Sequence, residues 1–368
     1  FFFFGDLFNK GFKYLLVTLI IFLHGWEYYG NFASLESLFL ITSSAFTFGS
    51  NQSLLKNGIN NFETIKFNKL IFNTILLFLL ISFSLSNTGH SFGLEIIAIA
   101  FLKSEYDFHT YLSILQNMPL KNRIRLLLPN IFMIFTVIIL FIFEIKGVLN
   151  FLRIIVMIYL ILLILMDFKY YKKNNFLSKL RQIKNFNFLM IGIQFTLVSI
   201  IQIDKYLAGT FIGGEISGIY SSAYIFGSIP LIFFIAKRNS DIGDNKIKRI
   251  LIPMKNQIYV FVLISIGIIL SYLFQIQDKT YIFVIVILTS FGYNMILGST
   301  LYLEPLLVRK KEVLYFFMLF TILITIIIFN IIFIDTYGIY SLLFGNALAY
   351  IIGSTIYYLN MNISLNDK

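Results

Sequence analysis

Glu27-Tyr28-Tyr29-Gly30-Asn31-Phe32-Ala33-Ser34 and Glu215-Ile216-Ser217-Gly218-Ile219-Tyr220-Ser221-Ser222 carry one pattern, Glu-x-x-Gly-x-aromatic-small-Ser, 188 residues apart in a chain of 368. Each copy opens a long apolar stretch. A glycine there suits a tight reversal or a close approach of two helices, and the neighbouring aromatics suit the edge of a bilayer. An offset near half the chain predicts a duplication, with two halves of equal helix count.

The flanking sequence supplies those helices. Residues 216–236, 256–277, 280–303 and 313–334 contain no Asp, Glu, Lys or Arg, and about 20 apolar residues cross a bilayer core. The apolar runs predict twelve spans at 8–25, 29–50, 68–87, 91–103, 126–143, 148–166, 187–206, 213–236, 254–275, 280–303, 313–334 and 338–360. The fourth is short and is expected to continue as a helix past Lys103. The first reads as a span rather than a cleaved signal, because its flanks lack a small-residue cleavage site. With loops numbered alternately, 25 of the 29 basic residues fall on one side, leaving Lys146, Arg153, Lys205 and Lys279 on the other. Short Lys/Arg-rich loops stay in the cytoplasm, so both termini are expected there. The expected fold is an all-α integral membrane protein of about twelve transmembrane helices, in two six-helix bundles related by a pseudo-two-fold along the membrane normal. The halves are expected at 1–175 and 176–368, joined by a basic connector at 167–186.

Composition narrows the chemistry. Hydrophobic residues make up 58%, charged residues 13%, and the mean hydropathy is +0.84, far from a soluble surface. The net charge of +11 lies in loops and reports orientation, not nucleic acid. The absence of cysteine excludes thiolate catalysis and cysteine–metal sites. His24, His90 and His109 are scattered, so no metal site is expected. No phosphate loop ending in Gly-Lys-Ser/Thr occurs, so no ATPase and no cofactor are expected.

The stretch Asp204-Lys205-Tyr206-Leu207-Ala208-Gly209, then Gly213-Gly214-Glu215-Ile216-Ser217-Gly218 through Tyr224, resembles the seventh-to-eighth span junction of Wzx-type polysaccharide flippases. Glu27 to Gly30 and Phe48-Gly49-Ser50-Asn51-Gln52 resemble that family's second span. The family lies in the multidrug/oligosaccharidyl-lipid/polysaccharide exporter superfamily. The resemblance implies alternating access in a bacterial cytoplasmic (inner) membrane, and a polyprenyl-pyrophosphate-linked oligosaccharide, as in O-antigen assembly, for cargo. It also implies a polysaccharide polymerase and glycosyltransferases as partners, with no enzymatic activity of its own. Two alternatives stay open: a cation-coupled small-molecule exporter of the same superfamily, and a membrane polymerase or glycosyltransferase. Short, nearly uncharged outward loops count against the last.

Polar residues inside spans mark candidate sites, because charge in a bilayer is costly. Glu36, Ser43, Thr47 and Ser50 form a stripe on the second span, readable as cavity lining or as helix packing. Gln194, Gln202 and Lys205 share one side of the seventh. Lys205 would meet a pyrophosphate or acidic sugar, or else snorkel outward beside Asp204. Arg153 would bind an anion or pair with Glu144. Lys10 and Lys13 would receive a head group from the inner side, or act as ordinary flanking charges. Glu36 and Glu95 are the coupling-ion candidates, and Glu95 would equally pair with a basic neighbour inside a bundle. Tyr220 and Tyr224 would stack on sugar or pack in the membrane, and Pro230 should hinge the eighth span.

Overall fold

A computed structural model describes residues 2–57, 62–86, 93–115, 119–145, 147–167, 188–243, 265, 279–302, 304, 307–308 and 311–363. These residues form helices and their turns, with no strand among them. The first half gives α1 (Phe2–His24), α2 (Trp26–Thr47), α3 (Ser50–Asn57), α4 (Phe62–Ser86), α5 (Gly93–Leu115), α6 (Pro119–Ile142) and α7 (Val148–Asp167). The second gives α8 (Phe188–Leu207), α9 (Gly214–Gly227), α10 (Ile229–Gly243), α11 (Lys279–Tyr302), α12 (Glu312–Tyr337) and α13 (Ile339–Ile363).

Segments Ile65–Ser82, Phe188–Ile212, Lys279–Tyr302, Glu312–Tyr337 and Ile339–Ile356 are each long and apolar enough to cross a membrane. The chain is a multi-pass membrane protein. The predicted eighth span is a broken one: α9 and α10 meet at 46°. Pro230, second in α10, has no N–H to donate and crowds the carbonyl four residues back. Ser228 caps the break by donating its Oγ to the Ile225 carbonyl at 2.7 Å. The fourth span continues past Lys103 to Leu115, as expected. The predicted ninth span, 254–275, lies outside the described residues apart from Ser265, as do the connector at 168–187, residues 244–253, and His90.

The apolar side chains gather into two separate cores, and the chain folds as two bundles. One core runs from Leu16 to Leu162 and the other from Met190 to Tyr350, with Ile225 of the second half also packed on the first. α2 is the helix between them. It packs against α5 in its own bundle and against α8 and α9 in the other. A helix sheathed by protein on several sides needs no lipid-facing stripe, so α2 can carry Glu27, Glu36 and a run of hydroxyls that a lipid-exposed helix would not.

Candidate functional site

The two copies of the repeat pattern meet each other. A Cβ on Gly30 would collide with the Gly214 carbonyl oxygen and the Gly218 nitrogen, and one on Gly218 would strike the Trp26 carbonyl oxygen. A Cβ on Gly209 would strike Ser34. Both patterns therefore need glycine because the backbones of α2 and α9 touch. Gly213, at φ +103, turns the chain from the π-turn Ala208–Ile212 that extends α8 into α9, a conformation only glycine adopts freely. This glycine end closes one end of the seam between the bundles.

Further along α2 the seam turns polar. Lys13 Nζ donates to Glu36 Oε1 at 3.0 Å. The next residue, Ser37, donates to Gln202 Oε1 of the other bundle at 3.3 Å. Lys205 Nζ donates to the same Gln202 oxygen at 3.1 Å and lies 4.4 Å from the centre of the Tyr224 ring. Lys205 and Lys103 both act electrostatically on the Glu36 carboxylate. Lys103 also pairs with Asp107 at 2.6 Å one turn on. Lysines of α1, α5 and α8 thus all act on Glu36, and Lys13 and Lys103 each hold a carboxylate. Lys205 has no carboxylate within ion-pair distance among the described residues. Its ammonium is met by an amide oxygen, the Ile201 carbonyl and a π face.

Lys13 lies midway along α1, which begins at Phe2, and pairs with Glu36. Two other placements revise the sequence reading. Arg153 pairs with Glu95 at 3.2 Å rather than with Glu144, because α5 and α7 pack side by side and Glu144 lies on a turn at φ 52. Lys205 and Asp204 do not pair, because adjacent helical residues point apart.

Asp204 turns instead into the second bundle. Its carboxylate, 1% exposed, accepts from Tyr220 Oη at 2.6 Å, Asn346 Nδ2 at 3.1 Å and the Lys205 backbone N–H at 2.8 Å. Asn346 Oδ1 and both amide atoms of fully buried Asn330 have no hydrogen-bond partner among the described residues. Asn330 lies against Gly345, the neighbour of Asn346. The Asp204 carboxylate, the Tyr220 phenol and the Asn346 amide with its unused oxygen form a donor set that suits a proton or a monovalent cation. No cluster of three His, Cys, Asp or Glu occurs among the described residues. Asn330 was missed in the sequence reading, although it is the only amide in its apolar span.

The remaining candidates are packed away. Ser43 and Thr47 are each 3% exposed, and Thr47 Oγ1 donates to the Ser44 carbonyl at 2.6 Å, so this part of the α2 stripe is helix packing. Gln194 is buried on the second core, its Oε1 without a partner among the described residues. Tyr220 and Tyr224 belong to a buried aromatic column continuing through Tyr293 to Tyr350. Of these rings it is Tyr224 that meets the seam, at Lys205.

No protein-family model matches the chain, and no curated protein matches it. Solved structures do. The MATE multidrug transporter DinF-BH superposes with a TM-score of 0.59 at 12% identity, over 97% of this chain and 93% of that one. The lipid II flippase MurJ in an inward closed conformation gives 0.56 at 15% identity, over 99% and 87%. A multidrug resistance MATE family transporter of the MOP superfamily, inward-facing, gives 0.52 at 14%, over 96% and 94%. The chain shares the fold of these solved transporters. At these identities the likeness concerns the path of the helices and not their side chains.

Proposed function

We propose that this chain is a flippase that carries a polyprenyl-pyrophosphate-linked oligosaccharide across a bacterial cytoplasmic membrane by alternating access, for cell-surface polysaccharide assembly. Residues 1–175 and 176–368 are its two moving bodies, and both termini face the cytoplasm. The observation that carries this reading is Lys205: a cation inside the membrane with no carboxylate partner among the described residues, held toward the seam by Gln202 and Tyr224. An ammonium in a low-dielectric seam with no carboxylate in contact is expensive unless an anion approaches it. A pyrophosphate is such an anion, and the flexible lysine stem can follow it. Lys13 adds positive charge beside Glu36, and Gln202 offers hydrogen bonds to sugar hydroxyls.

Coupling is assigned to Asp204 in place of Glu36 and Glu95. Those two each hold a basic partner, whereas Asp204 is hydrogen-bonded by neutral donors, so its charge is open to a proton or a monovalent cation. The same pocket favours the second reading, a cation-coupled exporter of small molecules. Deleting the gene and tracing lipid-linked oligosaccharide separates the two. The flippase reading expects the intermediate to accumulate on the inner leaflet, with Lys205→Ala failing to restore export at equal protein level. Normal polysaccharide export in the deletion strain, together with raised sensitivity to cationic dyes, would establish the exporter instead.

A further inference from the structure

The two bundles also touch at the opposite end of α2, roughly 28 Å from the glycine contact at 1.5 Å per residue. There α2 ends in an elbow. Phe48 at φ 55 and Gly49 at φ 59 are both left-handed, and they turn α3 away from the α2 axis. The elbow presses on the other bundle, since a Cβ on Gly49 would lie 2.5 Å from the Met190 carbonyl carbon in the first turn of α8. From α3, Gln52 Nε2 donates to Glu304 Oε1 at 3.2 Å. Arg238 of α10 holds the other Glu304 oxygen. One turn along α3, Lys56 pairs with Glu312, the first residue of α12. Gln52 and Lys56 are four residues apart and so share a helix face.

We propose that α3 is a latch: a strap from the first bundle that closes this end of the seam through Gln52–Glu304 and Lys56–Glu312, and lets go whenever the seam opens on that side. The contacts are built to part. Lys56 and Glu312 are each nearly a third exposed, so water replaces either partner at small cost. Glu304 is 2% exposed, and a stranded buried carboxylate would be expensive. Its cation, however, is Arg238 of its own bundle, so when Gln52 withdraws the charge stays compensated. At this end, the charge that must stay buried is paired within one body, and the polar contacts that cross between the bodies beside the Gly49–Met190 backbone contact are exchangeable.

The latch rests on the alternating-access reading, but its test needs no cargo. The chain has no cysteine, so Ser43→Cys on α2 serves as a reporter in the full chain in oriented membrane vesicles. The measurement is its rate of modification by a membrane-impermeant maleimide added from the α3 side. Gln52→Ala with Glu312→Gln should raise that rate at least tenfold. A disulfide between Lys56→Cys and Glu312→Cys, formed before labelling, should lower it at least tenfold, and reductant should reverse the effect. The charge exchange Lys56→Glu with Glu312→Lys should return the rate to that of the parent, which a misfolded variant would not. Rates unaltered by both the double variant and the disulfide would overturn the latch. So would a charge exchange that labels as fast as the broken pair. If labelling responds while no lipid-linked sugar moves, the latch stands and the cargo assignment falls.

Discussion

Both ends of α2 set a glycine against the other bundle, Gly30 on Gly214 and Gly218 and Gly49 on Met190, but only one end adds polar side chains that reach across. At the glycine end, Gly30, Gly214 and Gly218 remove every side chain, so the backbones of α2 and α9 rest on each other. At the strap end, Gln52 and Lys56 reach across to Glu304 and Glu312. The first contact is self-complementary, since each half offers the same pattern to the other, as in a two-fold interface. The second is complementary, with unlike residues on the two sides. Close backbone packing is a sum of many small dispersion terms that decay together once a gap opens, whereas polar side-chain contacts trade partners with water one at a time. The duplication therefore accounts for a tight pivot, and the polar strap for a contact that can be released.

This contrast can be broken most severely at the pivot. Gly218→Val drives two methyl groups toward the Trp26 carbonyl. It should cost about 3 kcal/mol or more, lowering the yield of monodisperse protein on size exclusion and abolishing export. Between the two ends, Lys205→Ala should reduce export at least tenfold at equal protein level, with Lys205→Arg retaining part of it; a sugar-export assay in a deletion strain reads both. Asp204→Asn keeps the Tyr220 and Asn346 geometry while removing the charge. It should cut transport severalfold and remove its dependence on the ion gradient, seen by collapsing the gradient in vesicles. At the strap, Lys56→Ala should change thermal stability in detergent by no more than about 1 kcal/mol, because the pair is partly solvated. That result beside the Gly218 result is the sharpest form of the comparison. Arg153→Ala should have the smallest effect, within about 0.5 kcal/mol and with export unaltered. Its side chain is 60% exposed, and its loss leaves Glu95 near the end of α5.

Much of the helix layout was legible from local pattern. The apolar runs located the described helices, although α1, α4 and α6 begin six or seven residues before the predicted spans; Lys103 did not stop α5, and Pro230 marked the 46° break. The short α3 was not legible, since eight mostly polar residues carry no hydrophobic period and the elbow depends on backbone angles at Phe48 and Gly49. The candidate residues split the same way. Lys205, Gln202 and Glu36 stood out as polar groups in apolar runs and do gather at the seam, while Ser43 and Thr47, equally conspicuous, are packed away. Helical spacing says which residues share a face but not what that face meets.

The amino-acid sequence by itself determined that this protein lives in a bilayer, that its chain carries one pattern twice, and that glycines recur where those two stretches open their apolar runs. These follow from hydrophobicity and periodicity, which are local along the chain. Only the tertiary structure decided that the two glycine patterns meet each other, that Lys13 answers Glu36, and that Asp204 turns away from its neighbour Lys205 toward Asn346, 142 residues on. Which charges neutralise one another in a low dielectric depends on distances of about 3 to 4 Å between groups far apart in the chain, and those distances exist only once the helices have packed.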